Sequence, residues 1–158
     1  MGLLSAIAAE EAVMQAQRKP RVGRIRVDFE IANVGDVEAA AQRNLRSDQV
    51  RRVTIRGIVD SGATRFVLPA AVVKQLGLRL SGKTRVRYAD GRSAVRNIAQ
   101  GAFVTLEGRE ATFTAIVEPK RETALIGAIV LEELDLLVDC THQRLVPRDP
   151  RYPIAEIE

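Results

Sequence analysis

From Arg24 the chain alternates, with Ile25, Val27, Phe29 and Ile31 separated by Arg26, Asp28 and Glu30. A period of two sends successive side chains to opposite faces, so this segment predicts a strand with one face in a core. Residues 50–59 repeat the pattern at Val53 and Ile55 and end in the adjacent apolar pair Ile58 and Val59, which predicts burial on both faces there. Asp60 follows immediately, then Ser61, Gly62, Ala63, Thr64 and a short apolar run over 66–68. Pro69 at a first helical position and Gly77 just past a last one delimit a helix. Residues 84–88 and 93–98 flank Ala89, Asp90, Gly91 and Arg92, where Asp-Gly predicts a projecting hairpin with a two-residue loop. Residues 102–106 and 111–117 pair around Glu107 and Gly108. Leu125, Ile126 and Gly127 precede a short amphipathic helix to about Leu134, and 136–138 and 144–146 are the last clear strands.

Strands recurring every ten or so residues predict a mainly β domain, a barrel or a sandwich. Ahead of it, residues 1–17 are rich in Ala, Glu, Gln and Met, which predicts a helix closed by Pro20 and Gly23. The chain therefore divides into a helical extension, 1–23, and a β domain, 24–158. Residues 33–49 form a polar, Ala-rich connection with room for a helical turn, and 154–158 alternate, as a strand seeking a partner or as a free tail.

Composition narrows the function. The chain has 158 residues, 46% apolar and 28% charged, enough for one domain with its own core. No stretch approaches a membrane span, and residues 3–9 lack a basic leader and run into Glu10 and Glu11. Ala6 stands where myristoylation wants Ser or Thr, so a cytoplasmic location is expected. One cysteine, Cys140, and one histidine, His142, exclude an intrachain disulfide and leave too few ligands for an ordinary zinc site. Cys140 is expected as a small buried residue and His142 in a surface turn; no metal or cofactor is expected. The net charge of +4 rests mainly on arginine. Arg24, Arg26, Arg51, Arg52 and Arg56 on one sheet face would suit nucleic acid, but Asp28, Glu30 and Asp48 interrupt them. With no Trp, two Tyr and four Phe, stacking platforms are scarce. Nucleic acid is not the expected partner.

Chemistry concentrates at Gly57-Ile58-Val59-Asp60-Ser61-Gly62-Ala63-Thr64, where a carboxylate ends an apolar strand. A carboxyl beside buried residues needs donors, and Gly62 admits backbone N–H groups while Ser61 and Thr64 offer hydroxyls. A plain Asp-Ser-Gly turn after a strand would read the same way in isolation.

In order along the chain, the alternating strand at 24–31, Ile58-Val59-Asp60-Ser61-Gly62-Ala63, the helix from Leu68-Pro69 to Gly77, the Ala89-Asp90-Gly91-Arg92 hairpin and Leu125-Ile126-Gly127 resemble the retroviral-type (retropepsin-like) aspartic proteases in their single-domain bacterial form. The resemblance covers about 24–147. It implies a closed β barrel with one or two short helices and an active site of two facing aspartates. This chain has one Asp-Ser-Gly, since Asp139-Cys140-Thr141 does not repeat it, so the resemblance implies a homodimer with Asp60 catalytic in each subunit. By the same likeness Ser61 bonds across the dimer axis, Gly62 and Ala63 lie beside the substrate backbone with Thr64 in the supporting loop, and Tyr88, Ala89, Asp90, Gly91 and Arg92 form a flap over a protein or peptide substrate. Leu125, Ile126 and Gly127 match the support beneath the catalytic loop. Ala128 departs from the viral pattern, where Arg commonly follows this glycine and makes an intersubunit ion pair. The competing expectation is an inactive barrel serving as a binding or assembly module, with Asp60 a structural acid.

Overall fold

Alternation along β1 (Ile25–Asn33) becomes a two-faced strand: Ile25, Phe29 and Ile31 are buried, and Val27 packs against them. The computed structural model describes residues 24–158; the helix and the 1–23 extension expected ahead of them lie outside these residues. β1 pairs antiparallel with β2 (Arg52–Val59), Phe29 opposite Ile55 and Asp28 opposite Arg56. On the outer face that register makes ion pairs of the interrupted basic stripe, Arg56 to Asp28 at 3.2 Å and Arg52 to Glu30 at 3.3 Å.

Between these strands lie α1 (Val34–Ala41) and a 3-10 turn at Ser47–Gln49, more helix than the single turn expected. Asn33 caps α1 by accepting from the Asp36 N–H at 3.2 Å. Asp36 in turn receives Arg51 twice through its side chain, at 2.8 and 3.0 Å.

After β2 come β3 (Phe66–Pro69) and α2 (Ala70–Leu76), so Pro69 is the last strand residue and caps the helix instead of opening it. β4 (Arg79–Arg87) and β5 (Ser93–Leu106) form the long hairpin. β5 is one strand where two were expected: the ladder to its neighbour shifts between Ala99 and Ala102, and Gly101 takes a φ of 81° there. β6 (Arg109–Glu118) returns through Glu107 and Gly108, both at positive φ, as a tight two-residue turn requires. β7 (Ala124–Ile126), α3 (Ala128–Glu133), β8 (Leu136–Asp139) and β9 (Arg144–Pro147) complete the order, giving three short α-helices instead of one or two.

The main sheet runs β1-β2-β7-β3-β6-β5-β4, and β5 also pairs with β1, Glu30 opposite Thr105. Six strands therefore close on themselves as the expected barrel. β4 is left outside the ring, carried on the first half of β5. Phe66 stands at the centre of the core between Phe29 and Phe113, ring centroids 6.2 and 5.9 Å away. Arg109 is buried at the barrel's end and donates to the Leu134 and Asp135 carbonyls at 3.0 and 2.8 Å, and to that of Asp149.

One sequence expectation needs correction. Cys140 is exposed, because it falls in the loop of the β8–β9 hairpin, just past the last paired residue Asp139, with His142 exposed as expected. Residues 154–158 form no strand within the chain; the Ile154 N–H donates to Asp135 and its carbonyl accepts from Arg148.

Candidate active site

The segment 60–65 owes its shape to the strands at its two ends. β2 pairs parallel with β7 on one side and β3 pairs antiparallel with β7 on the other, so the chain between β2 and β3 must cross over the end of β7. The crossing is fastened by backbone bonds: the Asp60 N–H donates to the Ile126 carbonyl at 3.0 Å, and Ala128 and Ile129 donate to the Ala63 and Thr64 carbonyls at 2.7 and 3.0 Å. Gly127 is the residue directly beneath. A Cβ there would lie 2.2 Å from the Arg65 carbonyl oxygen and 2.8 Å from that of Ala63, so only a glycine lets the two backbones approach this closely. Ile126 is fully buried and Leu125 partly so, consistent with a supporting platform.

Asp60 sits one residue past the β2 ladder, and its Oδ1 accepts from the Gly62 N–H at 3.0 Å. It is exposed in the single chain, although the strand before it is apolar, because the loop lifts it clear of Val59 and out of the core. Ser61, Gly62 and Thr64 are exposed as well, and Ala63 is half-buried and closes the turn by donating to the Asp60 carbonyl at 3.1 Å.

The β4–β5 hairpin stands over the same place. Its loop has three residues, Ala89 to Gly91, and not two: Tyr88 and Arg92 still pair, the Gly91 N–H donates to the Tyr88 carbonyl at 3.0 Å, and Gly91 takes a φ of 86°. Asp90 accepts from the Arg92 backbone at 3.0 Å and side chain at 2.6 Å, holding its carboxyl below the usual range. The Arg92 guanidinium lies 5.7 Å from the Tyr88 ring centroid. The Tyr88 hydroxyl donates to Glu118 at 2.6 Å, and Arg96 donates to the same oxygen at 2.8 Å. The bond to Glu118 pushes the Tyr88 phenol above its usual range, with burial acting the same way.

A groove of about 1040 Å³ runs between hairpin and barrel. Asp60, Gly62, Ala63, Thr64, Tyr88 and Ala89 line it, bringing together residues from two of the predicted segments. Asp90, Gly91 and Arg92 form the hairpin tip and do not line it; Leu125 does, while Gly127 acts from below. Glu118, Lys120 and Arg121 have no local motif, and their arrival at the groove could be found only by knowing how β6 lies against the hairpin. Among the described residues no three His, Cys, Asp or Glu side chains gather as a metal site, and no helix is long and apolar enough to cross a membrane.

Among curated proteins none is significantly similar in sequence. In structure the chain is similar to the retroviral protease-like domain of Ddi1 from Leishmania major, with 17% identity over 83% of this chain and 91% of that one and a TM-score of 0.49. It is also similar to the EIAV protease complexed with the inhibitor HBY-793, with 16% identity, 75% and 90% coverage and a TM-score of 0.47. The Simian Foamy Virus (mac) protease aligns over 49% of this chain and 80% of its own, with 17% identity and a TM-score of 0.39. The family described as aspartyl protease matches residues 48–130, more than half of the chain, and this stretch takes in the Asp60 loop, the hairpin and the Gly127 platform beneath. The chain belongs to this aspartyl protease family, as its retropepsin-like motifs imply.

Proposed function

We infer that this protein is an aspartic endopeptidase that works as a homodimer, each subunit supplying Asp60 to a shared dyad. The observation that carries the reading is the Asp60 loop: a carboxylate at the end of β2, oriented by the Gly62 N–H, braced over Gly127 and opening on the groove beneath the hairpin. Asp60 is exposed in one chain, and a second copy placed about a two-fold axis through this face would cover it.

Two carboxylates about 3 Å apart cannot both ionise readily, so such a pair shares one proton, and its apparent pKa values belong to the dyad. The charged member takes a proton from water as it attacks the peptide carbonyl. The protonated member stabilises the resulting oxygen, and a proton is then delivered to the leaving amine. Ser61 and Thr64 supply hydroxyls to the loop, Gly62 and Ala63 border the substrate backbone, and the Tyr88 to Arg92 hairpin closes over it.

The test is cleavage of a broad peptide library from about pH 4 to 8, with Asp60→Ala alongside and oligomeric state followed in the same samples. Cleavage that falls about a thousandfold or more in Asp60→Ala and follows the dimer is the expected result. A folded dimer that cleaves nothing, with Asp60→Ala changing only stability, would make the barrel a binding module instead.

A further inference from the structure

Six cations line the groove that leads to Asp60: Arg24, Arg65, Arg85, Arg87, Lys120 and Arg121. Two acids face them, Asp60 and Glu118, and Glu118 already receives Arg96 at 2.8 Å. Among the described residues none of the six takes part in an ion pair, while Arg52 and Arg56 on β2 are paired with Glu30 and Asp28 across the strands. Like charges gathered this way repel, and a ligand bearing carboxylates relieves the repulsion.

The shape of the groove adds the backbone requirement. Residues 84–89 all line it in succession, which happens only where a groove runs along a strand's edge, since one face would present alternate residues. Among the described residues β4 is the last strand of its sheet, so its outer edge has backbone groups free there to pair with an extended chain. Ile58, Val67, Ile116 and Leu125 give the groove an apolar floor. Among the described residues that line it Tyr88 is the one aromatic, so stacking platforms for nucleic-acid bases are scarce.

We propose that the groove selects acidic substrates: extended peptides with Asp or Glu flanking an apolar residue, their carboxylates received by Arg85 and Arg87 on one wall and by Lys120 and Arg121 on the other. The proposal rests on the endopeptidase reading of Asp60 for cleavage, though not for binding.

Three peptides with one apolar core and Glu, Gln or Lys flanks test it with the full chain. Wild type cleaves the Glu-flanked peptide with kcat/KM about tenfold above the Gln-flanked one, the difference lying in KM and shrinking several-fold as salt rises to about 0.5 M. The Arg85→Glu, Arg87→Glu pair reverses the order of the Glu- and Lys-flanked peptides, and Lys120→Glu on the opposite wall gives an independent reversal should the double variant fail to fold. Equal cleavage of all three overturns the proposal and leaves the endopeptidase reading standing. Fluorescence anisotropy with Asp60→Asn reads binding alone. Tighter binding of the Glu-flanked peptide, with no cleavage of any by wild type, keeps the acidic-peptide groove and removes the endopeptidase. A single-stranded oligonucleotide bound as tightly as the Glu-flanked peptide overturns the proposal in favour of general polyanion binding.

Discussion

Gly127 and Gly62 both neighbour the Asp60 loop, yet the two positions differ in what a methyl group would meet. At Gly127 a Cβ would lie 2.2 Å from the Arg65 carbonyl oxygen, a backbone atom, whereas at Gly62 it would lie 3.2 Å from the Asp60 carboxylate, a side chain that can rotate. Gly127→Ala is therefore expected to cost about 3 kcal/mol, the upper range for overpacking, and Gly62→Ala under about 1 kcal/mol; urea unfolding of the two variants measures the difference. Asp139 makes a second prediction at this scale. Its carboxyl is held down to about 2, first by the His142 backbone N–H, then by the His142 ring at 2.8 Å, with Arg144 adding to both. The folded pKa lies below the ordinary 3.8, so the stability it contributes is present above that value and lost as pH falls from about 4 towards 2. Carboxyl titration followed by NMR should find this midpoint, and His142→Ala should raise it only part of the way, because the backbone donor stays.

Tyr88, Glu118 and Arg96 link three strands, and the link makes the hairpin's mobility a property of β6 as much as of the loop. Tyr88→Phe removes the 2.6 Å bond and leaves the ring, so local opening of residues 84–96 becomes easier while global stability changes little. Amide exchange there should speed up about fivefold, the exchange of buried β1 and β2 amides serving as the control. The elements differ in how far the sequence disclosed them. β1 and β2 were legible because each has one buried face, and the turn at Glu107 and Gly108 because its chemistry is local. β5 was not, since a glycine at positive φ reads as punctuation when the strand actually continues through a bulge. Asp60 and Gly127 stand in a recognisable motif order, but Glu118, Lys120 and Arg121 reach the groove through a β6 pairing that no local pattern encodes. Nor does any local pattern show that Asp28 and Glu30 would neutralise Arg56 and Arg52 while the groove cations would stay without carboxylate partners.

A single barrel presents one Asp60 at an exposed loop, so the proposed chemistry is a property of two molecules, and its concentration dependence follows from that. Ala128 follows Gly127 where viral members commonly carry an arginine that makes an intersubunit ion pair, and the proposed dimer would form without it. Activity per chain should fall on dilution, in step with the dimer fraction measured by sedimentation. Mixing sharpens the prediction, because a pair with one carboxylate and one carboxamide cannot share a proton in the way the dyad requires. If wild type and Asp60→Asn pair at random and exchange freely, a ninefold excess of the variant leaves about a tenth of the wild-type chains in wild-type pairs. Activity per wild-type chain should then drop to about a tenth, in a mixture whose total dimer content has risen. Activity unmoved by the excess variant would mean that one Asp60 suffices, and the two-fold dyad would have to be abandoned.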